Sequence, residues 1–457
     1  MISFPHRAPS RDELTVWDAL EPSVMLSCEL AERREAGFDL RLLEDEVRAV
    51  LDRGSPAEIE GSIVRLEKTS LLPDWPYEEP SGFDEIKRTL SAAPSAPPRS
   101  LGDGELRDRL LAAWLGRCAG CNLGKPVEGW DRSKIRRYLE LADALPLADY
   151  IPVLDPFPEG LALNACWTET TRGNIVAMAR DDDVDYTILG LHILEDHGSG
   201  FTPAEVGEEW LDHLPFNQVY TAERVAYHNL VRGLRPPETG THRNPYREWI
   251  GAQIRADMWG YVSPGDPERA SRLAYQDASL SHTQNGIYGE MWIAALIALA
   301  FVVDDVRETL ERSLLSIPPR SRLTEALRDV LDMHGRGLDF ERGRDGIEER
   351  CGHYSRVHTV NNAAIVAAAL LWGAGDFTRT IGLAVEGGWD TDCNGATVGS
   401  VFGAMHGTEA LPGHWVDPLH DLARSSIIGF DRSTLTNLAE RTFRLAVATA
   451  EVDDRAM

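Results

Sequence analysis

Two dense clusters of acidic residues constrain this chain more than any other feature of its sequence. The first reads Arg-Asp-Asp-Asp-Val-Asp-Tyr-Thr at 180–187, and the second reads Gly-Gly-Trp-Asp-Thr-Asp-Cys-Asn-Gly at 387–395. Carboxylates packed this closely repel one another, so a compact fold tolerates them only if they are solvated, protonated or neutralised by a cation. We therefore interpret the two clusters as two halves of one metal site.

Neither cluster fits an EF-hand calcium loop. The second cluster matches the first positions of such a loop, but Val401 stands where the loop requires a bidentate Glu. The first cluster has Tyr186 where the loop requires a Gly. Helical patterns follow both clusters, and a single Asp at a helix start commonly caps the helix. Capping explains one Asp well, but it does not explain six Asp residues in two clusters.

Apolar periodicity along the chain predicts an all-α protein. Helices are predicted over 27–36, 40–51, 56–66, 105–115, 184–196, 203–214, 222–234, 267–279, 286–303, 323–334, 362–372, 377–386 and 396–404. Alternating strand patterns are scarce. Close packing of the Gly- and Ala-rich helices would bring the two acidic clusters to one rim.

One clear boundary divides the chain. Residues 91–104 are rich in Pro, Ala, Ser and Gly, a composition typical of a linker. This stretch separates an N-terminal helical accessory segment, 1–90, from a larger domain, 105–450. The accessory segment carries no catalytic motif and is expected to pack on the larger domain or to mediate assembly.

The larger domain resembles the ADP-ribosylglycohydrolase family. An early family segment matches 116–128, Gly-Arg-Cys-Ala-Gly-Cys-Asn-Leu-Gly-Lys-Pro-Val-Glu, and the two aspartate segments of the family match the two acidic clusters. Further family-like stretches lie at 250–255, 263–267, 274–278 and 281–286. The resemblance implies a compact multi-helix domain with an N-terminal helical extension. It also implies hydrolysis of an N- or O-glycosidic bond at the anomeric carbon of an ADP-ribosyl group, with two Mg²⁺ ions, or Mn²⁺ in their place.

The resemblance also implies roles for individual residues. The implied metal ligands are Asp181, Asp182, Asp183, Asp390 and Asp392, and the implied catalytic residues are Glu128 and Asp392. The implied substrate-binding residues are Gly251, Arg255, His282, Asn285, Gly286, Gly388 and Trp389. Glycosidic bond cleavage needs a carboxylate near the anomeric carbon, and Glu128 is the best candidate for it.

Four positions depart from the family pattern. Asp181 and Val184 stand where the family usually has Thr, Cys121 where it has Asp, and Cys393 where it has a hydroxyl residue. Because Asp181 adds charge and Cys393 offers a soft sulfur, we expect a metal preference shifted from Mg²⁺ toward Mn²⁺.

The composition of the chain limits its possible binding partners and its cellular compartment. The formal net charge of −27 argues against an extended nucleic-acid-binding surface, and a hydrophobic content of 43% excludes a disordered chain. No signal-like start is present, and the longest uncharged apolar run, 291–303, is too short to span a bilayer. We expect a cytoplasmic protein without a membrane partner, whose six cysteines are buried thiols. The oligomeric state stays open.

Two alternatives to an ADP-ribosyl hydrolase stay open. One is a ribosidase that acts on a small nucleoside-like or ribosylated metabolite. The reason for keeping this smaller substrate is the extra carboxylate at Asp181. The other is a non-catalytic protein of the same fold that binds ADP-ribose or serves a structural role. Retention of the aspartates and of Glu128 argues against the second alternative.

Overall fold

The structure is a computed structural model that describes residues 18–53, 55–90 and 101–456, and it confirms the all-α fold class. Its helices are α1 Pro22–Glu35, α2 Glu44–Arg53, α3 Pro56–Leu66, α4 Phe83–Thr89, α5 Asp103–Gly124, α6 Arg132–Leu141, α7 Trp167–Thr170, α8 Asp182–His197, α9 Pro203–His213, α10 Thr221–Val231, α11 Glu238–Thr241, α12 Asp257–Tyr261, α13 Pro267–Ala278, α14 Gln284–Ala300, α15 Val306–Ser313, α16 Arg322–Gly335, α17 Phe340–Cys351, α18 Thr359–Gly373, α19 Phe377–Glu386, α20 Thr391–His406, α21 Gly413–Val416 and α22 Leu435–Ala456. Two short antiparallel strands, β1 Leu422–Ala423 and β2 Ser433–Thr434, pair near the C-terminus.

Three helices lie entirely inside the core. Nearly every residue of α14, α18 and α20 is buried. Helices α14 and α18 are rich in Ala and other apolar residues on all sides, and α20 is rich in Gly and other small residues. A helix without a polar face is stable in water only when neighbouring helices surround it. The surrounding helices therefore form a shell around α14, α18 and α20. In the part of the chain that is described, no helix is both long enough and apolar enough to cross a bilayer.

Helices α5 and α20 approach each other so closely that their backbones touch. A Cβ atom added at Gly120 would lie closer than 3.0 Å to the carbonyl oxygen of Gly395, and one at Gly395 would meet the carbonyl of Gly120 in the same way. Gly116 and Gly399 form a second such pair one turn away. In these pairs the residue numbers rise along α5 and fall along α20, so the two helices are antiparallel. The C-terminal end of α5 thus meets the N-terminal end of α20.

The boundaries of two predicted segments differ from the structure. The helix predicted over 105–115 continues to Gly124, because its glycines are packing positions and do not end it. The predicted linker, 91–104, lies mostly outside the described residues, but Asp103 and Gly104 belong to α5.

The N-terminal segment, described over 18–53 and 55–90, packs against the larger domain. Helices α1–α3 enclose a small apolar cluster of their own, which includes Leu26 and Ile63. Val24 and Cys28 instead contact Tyr246 and Trp249 of the larger domain. Helix α4 inserts its fully buried Ile86 into the main core. The segment is therefore attached at several points.

Candidate metal centre

The close α5–α20 contact places the second acidic cluster beside the end of α5. A hydrogen bond from Thr391 Oγ1 to the carbonyl oxygen of Gly124, 2.8 Å long, ties the two helix ends together. Asp390 and Asp392, which flank Thr391, are both buried. Asn362 of α18 supports this end, since its Oδ1 accepts hydrogen bonds from the Asp390 backbone N–H and from Asn394 Nδ2.

Backbone hydrogen bonds hold the Glu128 loop against the same helix start. The N–H of Gly129 donates to the carbonyl of Trp389 at 2.9 Å, and the N–H of Trp389 donates to the carbonyl of Trp130 at 3.0 Å. From the other side, Asn164 Nδ2 donates to the carbonyl of Glu128 at 3.1 Å. The loop that carries Glu128 is thus fixed beside Asp390. Asn164 is not among the predicted site residues, and nothing in its local sequence marks it.

The first acidic cluster forms the N-terminus of α8. The Asp181 carboxylate caps this helix by accepting the backbone N–H of Asp183 at 2.9 Å. The buried guanidinium of Arg117, on α5, donates twice to the carbonyl of Asp183, at 2.7 and 3.0 Å, and binds Asp257 on α12. Arg117 therefore fixes the start of α8 to α5.

The two acidic clusters meet in space. Ligand atoms of Asp183, Asp392 and Cys393 all lie within 4.8 Å of one another, and the same holds for Glu128, Asp390 and Asp392, and for Cys121, Asp181 and Asp183. Asp392 is common to the first two groups. We call Asp181, Asp182, Asp183, Asp390, Asp392 and Glu128 the acid cluster. It joins segments that lie about two hundred residues apart in the sequence.

The acid cluster holds more carboxylates than can be ionised together. Burial and the neighbouring Asp181 carboxylate raise the pKa values of Asp182 and Asp183 well above their usual range. Burial and the Glu128 carboxylate raise the pKa of Asp392 in the same way. A cation among these oxygens would offset the repulsion. The donor atoms are mainly hard carboxylate oxygens, which suit Mg²⁺ or Mn²⁺.

Glu128 is the most exposed residue of the acid cluster. Protein atoms nevertheless crowd its carboxyl group, and together with the nearby Asp390 carboxylate they raise the pKa of Glu128 to about 7. A carboxyl group with a pKa near neutrality can both donate and accept a proton. A cation bound nearby would lower this pKa, because positive charge favours the ionised form.

Lys125 contacts the acid cluster but is not among the predicted site residues. Its ammonium group forms an ion pair with the Asp181 carboxylate and donates to the carbonyl of Arg180 at 3.2 Å. Although burial opposes the shift, the Lys125 charge lowers the pKa of Asp181. The extra carboxylate at Asp181 is therefore neutralised within the chain. The sequence offers a signal for Lys125, since it is one of only four lysines and lies in the family-like glycine segment.

Asp185, the fourth aspartate of the first cluster, faces away from the acid cluster. Its carboxylate accepts hydrogen bonds from Arg180 Nε at 2.8 Å, from Ser425 Oγ at 2.6 Å and from the backbone N–H of Ser426 at 2.9 Å. These contacts fasten α8 to the loop after β1. Asp185 therefore has a structural role.

Arg255, predicted to bind substrate, lies in a buried ion-pair network. Its guanidinium contacts Asp277 at 2.6 Å and Glu223 at 3.0 Å. Gly251 packs directly against the Glu223 carboxylate, where a Cβ atom would have no room. Both residues thus support the core around Glu223, and their binding roles stay predictions.

The segment 281–286 is also buried. His282 Nδ1 lies 2.8 Å from Ser281 Oγ, and Gly286 packs against the backbone of Arg247. Asn285 Nδ2 donates to Glu79 and Glu248, both at 2.8 Å. The contacts of His282, Asn285 and Gly286 tie the start of α14 to neighbouring elements, and their binding roles also stay predictions.

Gly388 and Trp389 lie at the edge of the acid cluster. Both have positive φ angles, 79° and 69°, in the turn that leads into α20. A Cβ atom at Gly388 would collide with the backbone of Arg132, so this turn requires a glycine there. The indole of Trp389 is 8% exposed and lies under the Arg344 guanidinium at 4.0 Å. These contacts aim Asp390 at the cluster.

Comparison with known proteins identifies the family and the fold of the chain. The family model for ADP-ribosylglycohydrolase matches residues 103–452. A solved structure titled "ADP-ribosylglycohydrolase-related protein complex" has a TM-score of 0.50 at 19% sequence identity, with 75% of this chain and 99% of that chain covered. At this identity the likeness shows the fold alone. No curated protein sequence matches the chain significantly. The family match spans both acidic clusters and most of the sequence, so the chain belongs to the ADP-ribosylglycohydrolase family.

Proposed function

We propose that the protein is a metal-dependent glycoside hydrolase that cleaves the N- or O-glycosidic bond at the anomeric carbon of an ADP-ribosyl group. Family membership supports glycohydrolase activity in general. The observation that carries the proposal is the meeting of the two aspartate segments with Glu128 at the α5–α20 junction. The substrate would be an ADP-ribosylated or ribosylated molecule.

In this proposal the acid cluster would bind two divalent cations, Mg²⁺ or Mn²⁺. Asp182, Asp183, Asp390 and Asp392 would hold them, and Asp392 belongs to two of the ligand groups. Because Lys125 neutralises Asp181, we propose that Asp181 does not bind a cation itself. It would instead cap α8 and orient Asp183. When bound, the cations supply Lewis-acid charge that orients a sugar diol and stabilises charge as the anomeric bond breaks.

Glu128 would move a proton during bond cleavage. Its carboxyl group lies beside Asp390 and Asp392, and its raised pKa allows it to hold or release a proton near neutral pH. The hydrogen bonds from Gly129 and Asn164 keep the loop in place, so the carboxyl group needs little reorganisation. The Glu128 carboxyl would therefore assist the departing group or the attacking water.

A substrate panel tests the proposal. The metal-stripped protein is incubated with and without Mg²⁺ on ADP-ribosylated proteins, ADP-ribosylated nucleic acids and free ribosides, and the products are identified by mass spectrometry. We expect release of ADP-ribose that requires added cation and is lost in Asp390→Asn. Release of ribose from the free ribosides alone would assign the protein as a ribosidase. Binding of ADP-ribose without any product would assign it as a non-catalytic binder.

A further inference from the structure

A second group of metal-binding side chains lies between α8 and α9, well away from the acid cluster. His192 comes from α8, and Glu209 and His213 come from α9; their ligand atoms lie within 4.8 Å of one another. We call these three residues the His-Glu cluster. His192 is ten residues after Asp182 on the same helix, about 15 Å along the axis. The His-Glu cluster therefore shares no ligand with the acid cluster.

The distances within the His-Glu cluster match a tetrahedral metal site. Glu209 Oε2 lies 3.4 Å from His192 Nε2 and 2.9 Å from His213 Nδ1, and one ligand atom from each of the three residues lies within 4.8 Å of the other two. His192 Nε2 is also 3.2 Å from His213 Nε2, a hydrogen bond that a bound ion would replace. Ligand atoms bound about 2.0–2.1 Å from a tetrahedral zinc ion are about 3.3 Å from one another. Two of the three ligand distances are thus close to the tetrahedral value, and small side-chain movements would let all three atoms bind a single ion.

Two of these ligand atoms have no hydrogen bond. Glu209 is 7% exposed, and within the described residues neither its Oε2 nor His213 Nδ1 makes a hydrogen bond. The two atoms are close together but are not aligned as donor and acceptor. A buried carboxylate oxygen without a hydrogen bond is costly, and a cation bound to both atoms would stabilise them.

Neighbouring side chains complete the arrangement. His197 Nε2 lies 2.9 Å from the other Glu209 oxygen, Oε1, and so orients the carboxylate. His192 Nδ1 faces Asp196 Oδ1 at 3.7 Å, slightly beyond hydrogen-bond distance, so a small movement would form the carboxylate–imidazole hydrogen bond that commonly supports a metal-bound His. Phe430 covers one side of the His192 ring, with 5.3 Å between ring centroids. His192 and His213 remain partly exposed, so an ion can reach them.

We infer that His192, Glu209 and His213 bind one divalent transition-metal ion of the zinc type, which joins α8 to α9. Two imidazoles and one carboxylate favour zinc or its neighbours over Mg²⁺, which prefers an all-oxygen shell. The role is structural: the ion would fasten the C-terminal half of α8, whose N-terminus carries Asp182 and Asp183. The site does not depend on the proposed hydrolase activity.

Zinc binding by the whole protein tests the inference. Chelator-stripped protein is titrated with Zn²⁺ in the presence of excess Mg²⁺, against a chromophoric chelator. We expect the wild type to bind one more equivalent of Zn²⁺ than His192→Ala/His213→Ala, and Glu209→Gln to bind this equivalent at least about 100-fold more weakly. His414→Ala, which removes an exposed imidazole elsewhere, serves as the matched control and should keep the extra equivalent. Zn²⁺ should raise the melting temperature of the wild type and of this control only.

Crystals of the wild type provide a test that does not depend on the folding of any variant. Diffraction from Zn²⁺-soaked crystals above the zinc absorption edge should show an anomalous peak between His192, Glu209 and His213. Equal Zn²⁺ stoichiometry in the wild type and the double variant would overturn the inference. So would anomalous peaks at other positions with the His-Glu cluster empty.

Discussion

At the scale of single residues, the charge balance of the acid cluster depends on Lys125. The Asp181 carboxylate stands where the family usually has a hydroxyl group, and the Lys125 ammonium pairs with it in a nearly buried position. The pair therefore adds no net charge to the cluster. Because the Lys125 charge offsets that of Asp181, Asp181 no longer supports the expected shift of metal preference from Mg²⁺ toward Mn²⁺. The other reason, the buried Cys393 thiol near Asp183 and Asp392, persists.

A double-mutant cycle tests the coupling of Lys125 and Asp181. Lys125→Met leaves the Asp181 charge without its partner, so we expect it to lower the free energy of unfolding by about 3–5 kcal/mol, the usual cost of breaking a buried pair. Lys125→Met/Asp181→Thr should recover most of this loss, because the double change removes both charges. Chemical denaturation of the four proteins measures the cycle. Additive effects of the two single changes would show that the residues are not coupled.

Glu128 separates chemistry from binding. Glu128→Gln removes the proton-transferring carboxyl group but keeps its size, so we expect kcat to fall by about 10²- to 10⁴-fold. The affinity for ADP-ribose, measured by calorimetry, should change little, since the aspartates stay in place. Glu159→Gln, which alters another exposed acid in the loop region before α7, is the matched control and should retain full activity. Turnover of Glu128→Gln near the wild-type rate would assign proton transfer to another group.

At the scale of secondary-structure elements, the α5–α20 contact builds the site. Glycines recur every fourth residue on both helices, at 116, 120 and 124 and at 395, 399 and 403. Each glycine lies against backbone of the opposite helix, leaving no space for a Cβ atom. Since the helices are antiparallel, their contact brings Glu128, just after α5, to Asp390, at the start of α20. The register of these glycines thus sets the distance between the two halves of the acid cluster.

A single methyl group at this contact should disturb both stability and activity. Gly120→Ala places a Cβ atom against the carbonyl of Gly395. We expect the free energy of unfolding to fall by about 1–3 kcal/mol, because neither backbone can move away without shifting a helix. Activity under conditions where the variant stays folded should also fall, since the helix ends move apart. Gly104→Ala, in the exposed first turn of the same helix with nothing within 4 Å, is the control.

The control should be neutral or stabilise the protein by up to about 1 kcal/mol, because alanine favours the helix. Thermal unfolding and activity assays on both variants make the comparison. If Gly120→Ala behaves like Gly104→Ala, the close contact of α5 and α20 does not exist.

The helices were predictable from the sequence where apolar periodicity is strong. The segments predicted over 203–214 and 377–386 coincide closely with α9 and α19. The predicted helix over 105–115 is shorter than α5, because glycine has a low helix propensity. Propensity also contains no information on the helix at 395–403 against which these glycines pack. Convergence of the two acidic clusters was predictable from the resemblance. The roles of Lys125, Asn164 and Arg117 depend on contacts between distant segments, which a single sequence does not reveal.

At the scale of the whole molecule, the N-terminal segment is bound to the larger domain through a buried polar network. The Arg322 guanidinium, on α16, contacts Glu79 at 2.8 Å and Glu248 at 2.7 Å, and all three side chains are at most 3% exposed. Asn285 joins the same network through Glu79. The predicted accessory segment therefore contributes a residue to the interior of the larger domain. Its Glu-rich composition alone did not indicate which residue.

Loss of the Glu79 charge should weaken this attachment. Glu79→Gln replaces charge-assisted hydrogen bonds with neutral ones, so we expect the free energy of unfolding to fall by about 1.5–3 kcal/mol. Glu78→Gln changes the neighbouring exposed residue and should have an effect within about 0.5 kcal/mol. Urea denaturation of the two variants provides the comparison. An equal response would mean that the Glu79–Arg322 pair does not hold the segment in place.

In the proposed metal centre, both aspartate segments bind the same cations. Diffraction from crystals soaked with Mn²⁺, recorded so that the manganese anomalous signal is strong, measures this directly. We predict anomalous peaks within the acid cluster, with carboxylate oxygens from 182–183 and from 390–392 in the coordination shell of the same site. Fully occupied Mn²⁺ with either segment outside the coordination shell would contradict the account.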